Sequence, residues 1–269
     1  MAAGGPRLSV LRLVTIPISH YCEKARWALD RAGLPYREER HVQGIHMLAA
    51  RRAGGGRTAP VLVTPQESIG ESAQIIEWVD RRTEPASRLG GETAGRRREV
   101  WALCARFDEL LGPAGRRLAY VHMFGQRELL LRFNDQGVPA WEDRLLRLGL
   151  PLFERLISRV LEIRPGVEQG DERLVWQELD HVAELLSDGR SYLCGERFTA
   201  ADLTFAALCA PVLMPPGYGV ALPQPEILPD DTARLVRRAR EHPAGAHALR
   251  MYADHRRAPA GVGAAAVAR

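Results

Sequence analysis

The sequence predicts a small α/β domain followed by an all-helical one, together spanning 269 residues. Three observations predict it. Strand-like runs are confined to about the first 85 residues; a stretch rich in Pro, Gly and Ser, "TEPASRLGGETAG" (83–95), follows them; and beyond it apolar residues recur at three- and four-residue spacing with no strand pattern. With 46% hydrophobic residues the chain can bury cores of that size.

Taken in order, "LSVLRLVT" (8–15) is a leucine-rich, β-branched run that reads as a buried strand ending near Pro17. Ala25, Ala28, Leu29 and Ala32 then recur at helical spacing as far as Gly33, which can end a helix in the left-handed conformation. "YREERHV" (36–42) alternates as a second strand, and a strand–helix–strand of this length suggests parallel pairing. Residues 43–57 read as a weak helix or loop dissolving into Gly54-Gly55-Gly56. "PVLV" (60–63) and "ESI" (67–69) flank "TPQ" as hairpin strands do, and Ile75, Ile76 and Val79 predict a helix from Glu71 to about Arg82. The order is β-α-β-(α)-β-β-α. Helices are then expected over 96–111, 115–134, 141–163, 171–188, 200–213 and 231–242, with an ordered irregular loop in the proline-rich 215–229. The expected division is an α/β domain at 1–84, a linker at 85–95, a helical domain at 96–257 and a disordered tail at 258–269.

Composition narrows the function classes. A net charge of +4, with arginines dispersed among acidic neighbours, argues against nucleic acid as a partner. The longest apolar runs, such as "LTFAALCAPVLM" (203–214), fall short of the ~20 residues of a membrane helix, and the N-terminus lacks the features of a signal peptide. A cytoplasmic protein with no membrane partner is expected. Cys22, Cys104, Cys194 and Cys209 are scattered, so neither structural disulfides nor a metal site is expected. Lys24 is the single lysine among 37 basic residues, a bias that suggests a GC-rich genome.

Three stretches of the first domain can carry chemistry. Ser19, three residues before Cys22 in "SHYCEKARWA", opens a helix whose unpaired N–H groups and partial positive charge stabilise a thiolate; the same serine is also an ordinary helix cap. Pro60, at the head of a strand after Thr58-Ala59, suits a cis peptide bond that presents the Ala59 backbone to an extended peptide, and equally suits the start of an edge strand. Gly70-Glu71-Ser72 opens the third helix, where N–H groups and a hydroxyl can take a carboxylate while Glu71 takes an ammonium, or where the helix is merely capped. In the helical half, Thr199-Ala200-Ala201-Asp202 is a reciprocal capping box between Phe198 and Leu203.

In this order and spacing, residues 8–82 resemble the thioredoxin-like N-terminal domain of the cytosolic glutathione S-transferase superfamily. Ser19, Arg26 and Leu29 match its first-helix pattern, Ala59 its residue before a cis-proline, and Glu71-Ser72 its acidic or amide residue followed by serine; the capping box is similar to that of the core helix in its second domain. The resemblance implies the glutathione transferase fold and a serine-type, bacterial member. Ser19 would hydrogen-bond and activate the glutathione sulfur. Ala59 would pair with the cysteinyl part, and Glu71 and Ser72 would hold the γ-glutamyl head. It further implies glutathione or another low-molecular-weight thiol as co-substrate, no metal, a small hydrophobic electrophile as second substrate, a role in detoxification and a homodimer. The sequence departs from the pattern at His20, where many relatives have proline, at Thr58-Ala59, where valine is common, and in residues 112–165, which form a longer segment than usual. Cys22 reads as packing rather than half of a redox pair, and "YVHMF" (120–124) with Trp101 reads either as core or as the lining of an apolar pocket. Two functions follow: an enzyme that activates a thiol for attack or isomerisation, or a non-catalytic binding or interaction module on the same fold.

Overall fold

A computed structural model describes residues 10–256. Leu8 and Ser9 of the first predicted strand and the tail at 258–269 lie outside the described residues. Strands β1 (Leu11–Thr15), β2 (Tyr36–Arg40), β3 (Val61–Val63) and β4 (Ser68–Ile69) form one sheet in the order β2-β1-β3-β4. β1 pairs parallel with β2, from Leu11 opposite Tyr36 to Thr15 opposite Arg40, and antiparallel with β3; β3 and β4 make the hairpin. The parallel pair needs its crossover, and helix α1 (His20–Arg31) supplies it. A short α2 (His46–Arg52) fills the weakly patterned stretch, and α3 (Ser72–Asp80) packs on α1.

The presumed linker is held in place. The Asp80 carboxylate accepts from the N–H groups of Leu89 and Gly90, and the Leu89 carbonyl accepts from Ala200 N–H. Helix α4 (Ala94–Arg106) then runs through a π-turn (Phe107–Leu111) into α5 (Gly112–Met123). Proline at 113 cannot donate to the carbonyl four residues back, which is where the helix widens. The single helix expected over 115–134 is two. Gly125, at φ 81°, ends the run, and α6 (Arg127–Asn134) starts anew.

Next comes α7 (Ala140–Val160), bent at Gly149, two residues before Pro151. The Arg147 carbonyl, four residues before that proline, is satisfied instead by the Arg127 guanidinium at 2.9 Å. Apolar residues occupy two faces of α7: Leu146, Leu150, Phe153 and Ile157 point inward, while Trp141, Leu145, Leu148 and Leu152 are exposed.

Helix α8 (Val167–Leu185) packs against α5, and α9 (Ala200–Leu213), the central helix of the domain, is buried along nearly its whole length. The Asp202 carboxylate takes the Thr199 N–H at 2.9 Å and the Leu193 N–H at 2.8 Å, so the capping box also fixes the preceding loop. Phe205 of α9 meets Phe107 with ring centroids 5.2 Å apart, a pairing worth about 1 kcal/mol beyond its area. The chain closes with α10 (Asp230–Glu241) and α11 (Pro243–His255). Sequence patterning named no helix at 243–255, because His242-Pro243 reads as a stop; here the proline sits at the first turn of a new helix, where its missing N–H costs nothing.

One core spans both domains, joining Leu13, Trp27, Leu62 and Ile75 of the first to Phe107, Leu118 and Phe205 of the second. A second cluster ties Val42 to Leu130, Leu146, Leu150 and Phe153. It is anchored by Glu142, whose carboxylate takes His41 Nδ1–H at 2.7 Å and Val42 N–H at 2.8 Å. That clasp holds α6 and α7 over the end of β2, and so builds the far wall of a cavity.

Candidate active site

Ser19 caps α1: its Oγ accepts from the Cys22 N–H at 3.3 Å. The hydroxyl proton is thereby left to donate, toward a ligand or toward the Cys22 sulfur. Ser19 is only partly buried, and it lies on the wall of a cavity of about 460 Å³. Ala59, cis to Pro60, lines the same cavity, and Pro60 is buried behind it.

Opposite them stand residues of the helical domain. Arg116, Ala119, Tyr120 and Met123 project from one face of α5, with Leu130 and Phe133 from α6, Leu161 from beyond α7, and Met214 and Tyr218 from the loop after α9. The lining is mostly apolar. The Tyr120 hydroxyl donates to Gln43 Oε1, bridging the helical domain to the loop after β2. Among the described residues no Asp or Glu side chain lines the cavity, whereas Arg57 and Arg116 do.

Glu71 and Ser72 do not line it. Glu71 is exposed at the N-cap of α3, where its side chain makes no capping bond, and Ser72 is buried at the first turn. Glu71 is nonetheless close enough for its charge to act on the Tyr21 hydroxyl. The structure thus brings Ser19 and Ala59 onto one cavity, with Glu71 and Ser72 outside its wall.

The polar neighbours of Ser19 are already committed. His20 is buried and donates through Nε2 to the Gly112 carbonyl at 3.1 Å; burial first, then the charge of Arg116, pushes it down to about 3. A ring held neutral in this way is a poor general base at neutral pH. The Tyr21 hydroxyl donates to the Asp108 carbonyl at 3.0 Å, and burial pushes it up to about 12. Cys22 is fully buried, accepts from Ile16 N–H at 3.4 Å, and has its thiol pushed up by burial. Arg26 is also internal: it donates to Glu38 at 2.7 Å and to the Ile16 carbonyl at 3.2 Å, fixing the turn before Ser19.

Of the aromatic and methionine residues flagged in the helical half, Tyr120 and Met123 face the cavity, while Phe124 and Trp101 do not. Sequence reading missed Arg116. The available signal was its spacing: residues 116, 120 and 123 share one face of α5, and an arginine on an otherwise apolar cavity face is unusual. Among the described residues, no group of three or more His, Cys, Asp or Glu side chains could hold a metal ion. No helix there is long and apolar enough to cross a membrane.

Comparison with known proteins agrees with this architecture. Residues 13–87 match the family described as glutathione S-transferase, N-terminal domain. No curated protein matches the chain. Among solved structures, a glutathione S-transferase from Sinorhizobium meliloti superposes with a TM-score of 0.57 at 18% identity, covering 91% of this chain and 99% of the other. A glutathione transferase from Burkholderia graminis, with two glutathione molecules bound per subunit, gives 0.57 at 15% identity, with 92% and 85% covered. A β-etherase from Sphingobium gives 0.55 at 16% identity, with 90% and 99% covered. The chain therefore has the glutathione S-transferase fold, a thioredoxin-like N-terminal domain followed by a helical one, and its first domain matches that family in sequence.

Proposed function

We propose that this chain is a member of the glutathione transferase superfamily in which Ser19 activates a thiol for attack on, or isomerisation of, a small hydrophobic electrophile. The observation that carries this reading is the position of Ser19, a hydroxyl at the N-terminus of α1 opening on a mostly apolar cavity beside the Ala59 backbone. Glutathione is the thiol proposed, with another low-molecular-weight thiol as the variant to be tested. Its cysteinyl part would lie along Ala59, and its γ-glutamyl head would sit at Glu71 and Ser72, outside the cavity wall. The Ser19 O–H would donate to the sulfur, and the helix terminus would favour its negative charge.

The thiol proton passes to solvent. The sulfur lone pair then bonds to the electrophilic carbon, and the leaving group departs with its bonding pair. His20, neutral and tied to Gly112, takes no part as base. A cytoplasmic homodimer with a role in detoxification belongs to the same proposal.

Calorimetric titration with a panel of thiols, followed by a chromogenic aryl-halide assay, tests it. Ser19→Ala should lower kcat/KM about tenfold to a hundredfold near neutral pH, and less in alkaline solution, where free thiolate is abundant. Binding without turnover, unchanged in Ser19→Ala, would leave the non-catalytic module as the correct reading; absence of any thiol binding would sink both the site and the function.

A further inference from the structure

On the proposed function rests a second question: what kind of electrophile fits? Among the described residues the cavity wall holds two arginines and no carboxylate. Two other arginines of the helical domain are each paired with a buried carboxylate. Arg117, the next residue, forks onto Asp171 at 2.8 and 2.5 Å, and Arg106 onto Glu178 at 2.9 and 2.7 Å. Arg116 points the other way, into the cavity, where its Nε is buried without any hydrogen-bond partner.

A buried guanidinium N–H with no acceptor is disfavoured, and an apolar wall offers it nothing. The position is reasonable if an acceptor arrives with the ligand. The guanidinium carbon lies 5.9 Å from the centre of the Tyr21 ring, two residues from Ser19, and its charge acts on His20, Tyr21 and Tyr120. It is therefore directed at the space that a molecule attacked from Ser19 would occupy.

We propose that Arg116 is an anion-recognition residue of this cavity, and that the second substrate is an amphipathic acid: an apolar body carrying a carboxylate or similar planar oxyanion. The apolar lining from α5, α6 and the loop after α9 takes the body. Arg116 takes the charge through its planar fork, as its neighbours Arg117 and Arg106 take internal carboxylates. The same chemistry could come from a carboxylate of the thiol peptide itself. Arg116 belongs to the helical wall rather than to the Ala59 side, which favours the second substrate.

The test needs no turnover. Titration calorimetry of the full chain with 1-naphthoate and with its methyl ester compares one apolar body with and without the charge. The wild type is expected to bind the acid about tenfold or more tightly over the ester. In Arg116→Gln that ratio should fall to about one, and in Arg116→Lys, which keeps the charge but not the fork, it should be intermediate. A wild type without the preference, or a preference that survives in Arg116→Gln, overturns the proposal.

Titrating glutathione into the same variants separates the two sources. If its Kd rises with that of naphthoate, Arg116 serves the peptide and the assignment to the second substrate is overturned; a Kd that stays put supports it. If no thiol binds while the naphthoate ratio still depends on Arg116, the anion site stands and the thiol reading fails. Melting curves guard against misfolding: Arg116→Gln removes an unsatisfied buried group and should leave Tm level or higher, whereas Arg117→Gln breaks the pair with Asp171 and should lower it.

Discussion

Where α1 meets the helical domain, charges face countercharges at close range. Lys24 reaches Asp108 at 2.5 Å; Arg256 reaches Glu23 at 2.6 Å and Asp30 at 2.8 Å; Arg26 is shared between Glu38 and Glu23. On α5 the cavity wall holds Arg116, which has no such ion pair and whose Nε is buried without a partner. Both regions carry cations between the first domain and the helical one, but on different elements: the seam on α1, β2, the π-turn and the end of α11, the cavity arginine on α5. The difference teaches where to look for a ligand: a fold that pairs its buried ions so consistently along one seam leaves an acceptor missing where something else supplies it.

The comparison breaks most decisively at Glu23. Its fully buried carboxylate takes Arg256, the Gly219 N–H at 3.1 Å and Arg26, so Glu23→Ala leaves two buried cations short of charge. Denaturant unfolding should show a loss of about 3 kcal/mol. A loss under about 1 kcal/mol would mean that Asp30 and Glu38 suffice, and that seam and cavity differ less than the geometry suggests.

Gly112→Ala comes next. A Cβ there would clash with the Tyr21 hydroxyl and ring, so the bond from Tyr21 to the Asp108 carbonyl must give way. About 1–3 kcal/mol should be lost, despite the gain in helix propensity.

Near neutral pH the smallest effect is a pH dependence, which grows only as the solution is acidified. His20 has its folded-state pKa depressed from 6.5 to about 3, first by burial and then by Arg116. The neutral ring is favoured on folding, so its contribution is complete above pH 6.5 and is lost as pH falls through that window toward 3, at about 1 kcal/mol per pH unit. His20→Gln should flatten the acid limb of stability measured between pH 6 and 4; an unchanged limb would mean that other groups dominate it.

Local signals explain what the sequence made visible. The β-α-β start, the β3–β4 hairpin, Ser19 as the cap of α1 and the box at Thr199 and Asp202 each depend on residues within a few positions of one another. The cavity depends on distant ones. Gln43 meets Tyr120 across 77 residues, and Tyr218 reaches the Ile18 carbonyl across 200, at 3.0 Å. No periodicity encodes such pairings. Helix α11 was hidden for a different reason, since a proline after a helical run reads as an ending even when it begins the next helix. The division of 115–134 turned on Gly125, whose left-handed backbone is set by the turn and not by apolar spacing.

Lys24 gives the seam an experimental handle. It is the chain's single lysine, and its ammonium group is wholly enclosed between α1 and the π-turn beside Asp108. Amine-selective reagents therefore find one side-chain target, and reach it only when the first helix parts from the helical domain. The rate of acylation at this one position becomes a clock for interdomain breathing, read by mass without any engineered label, and slowed by whatever ligand draws the two walls of the cavity together.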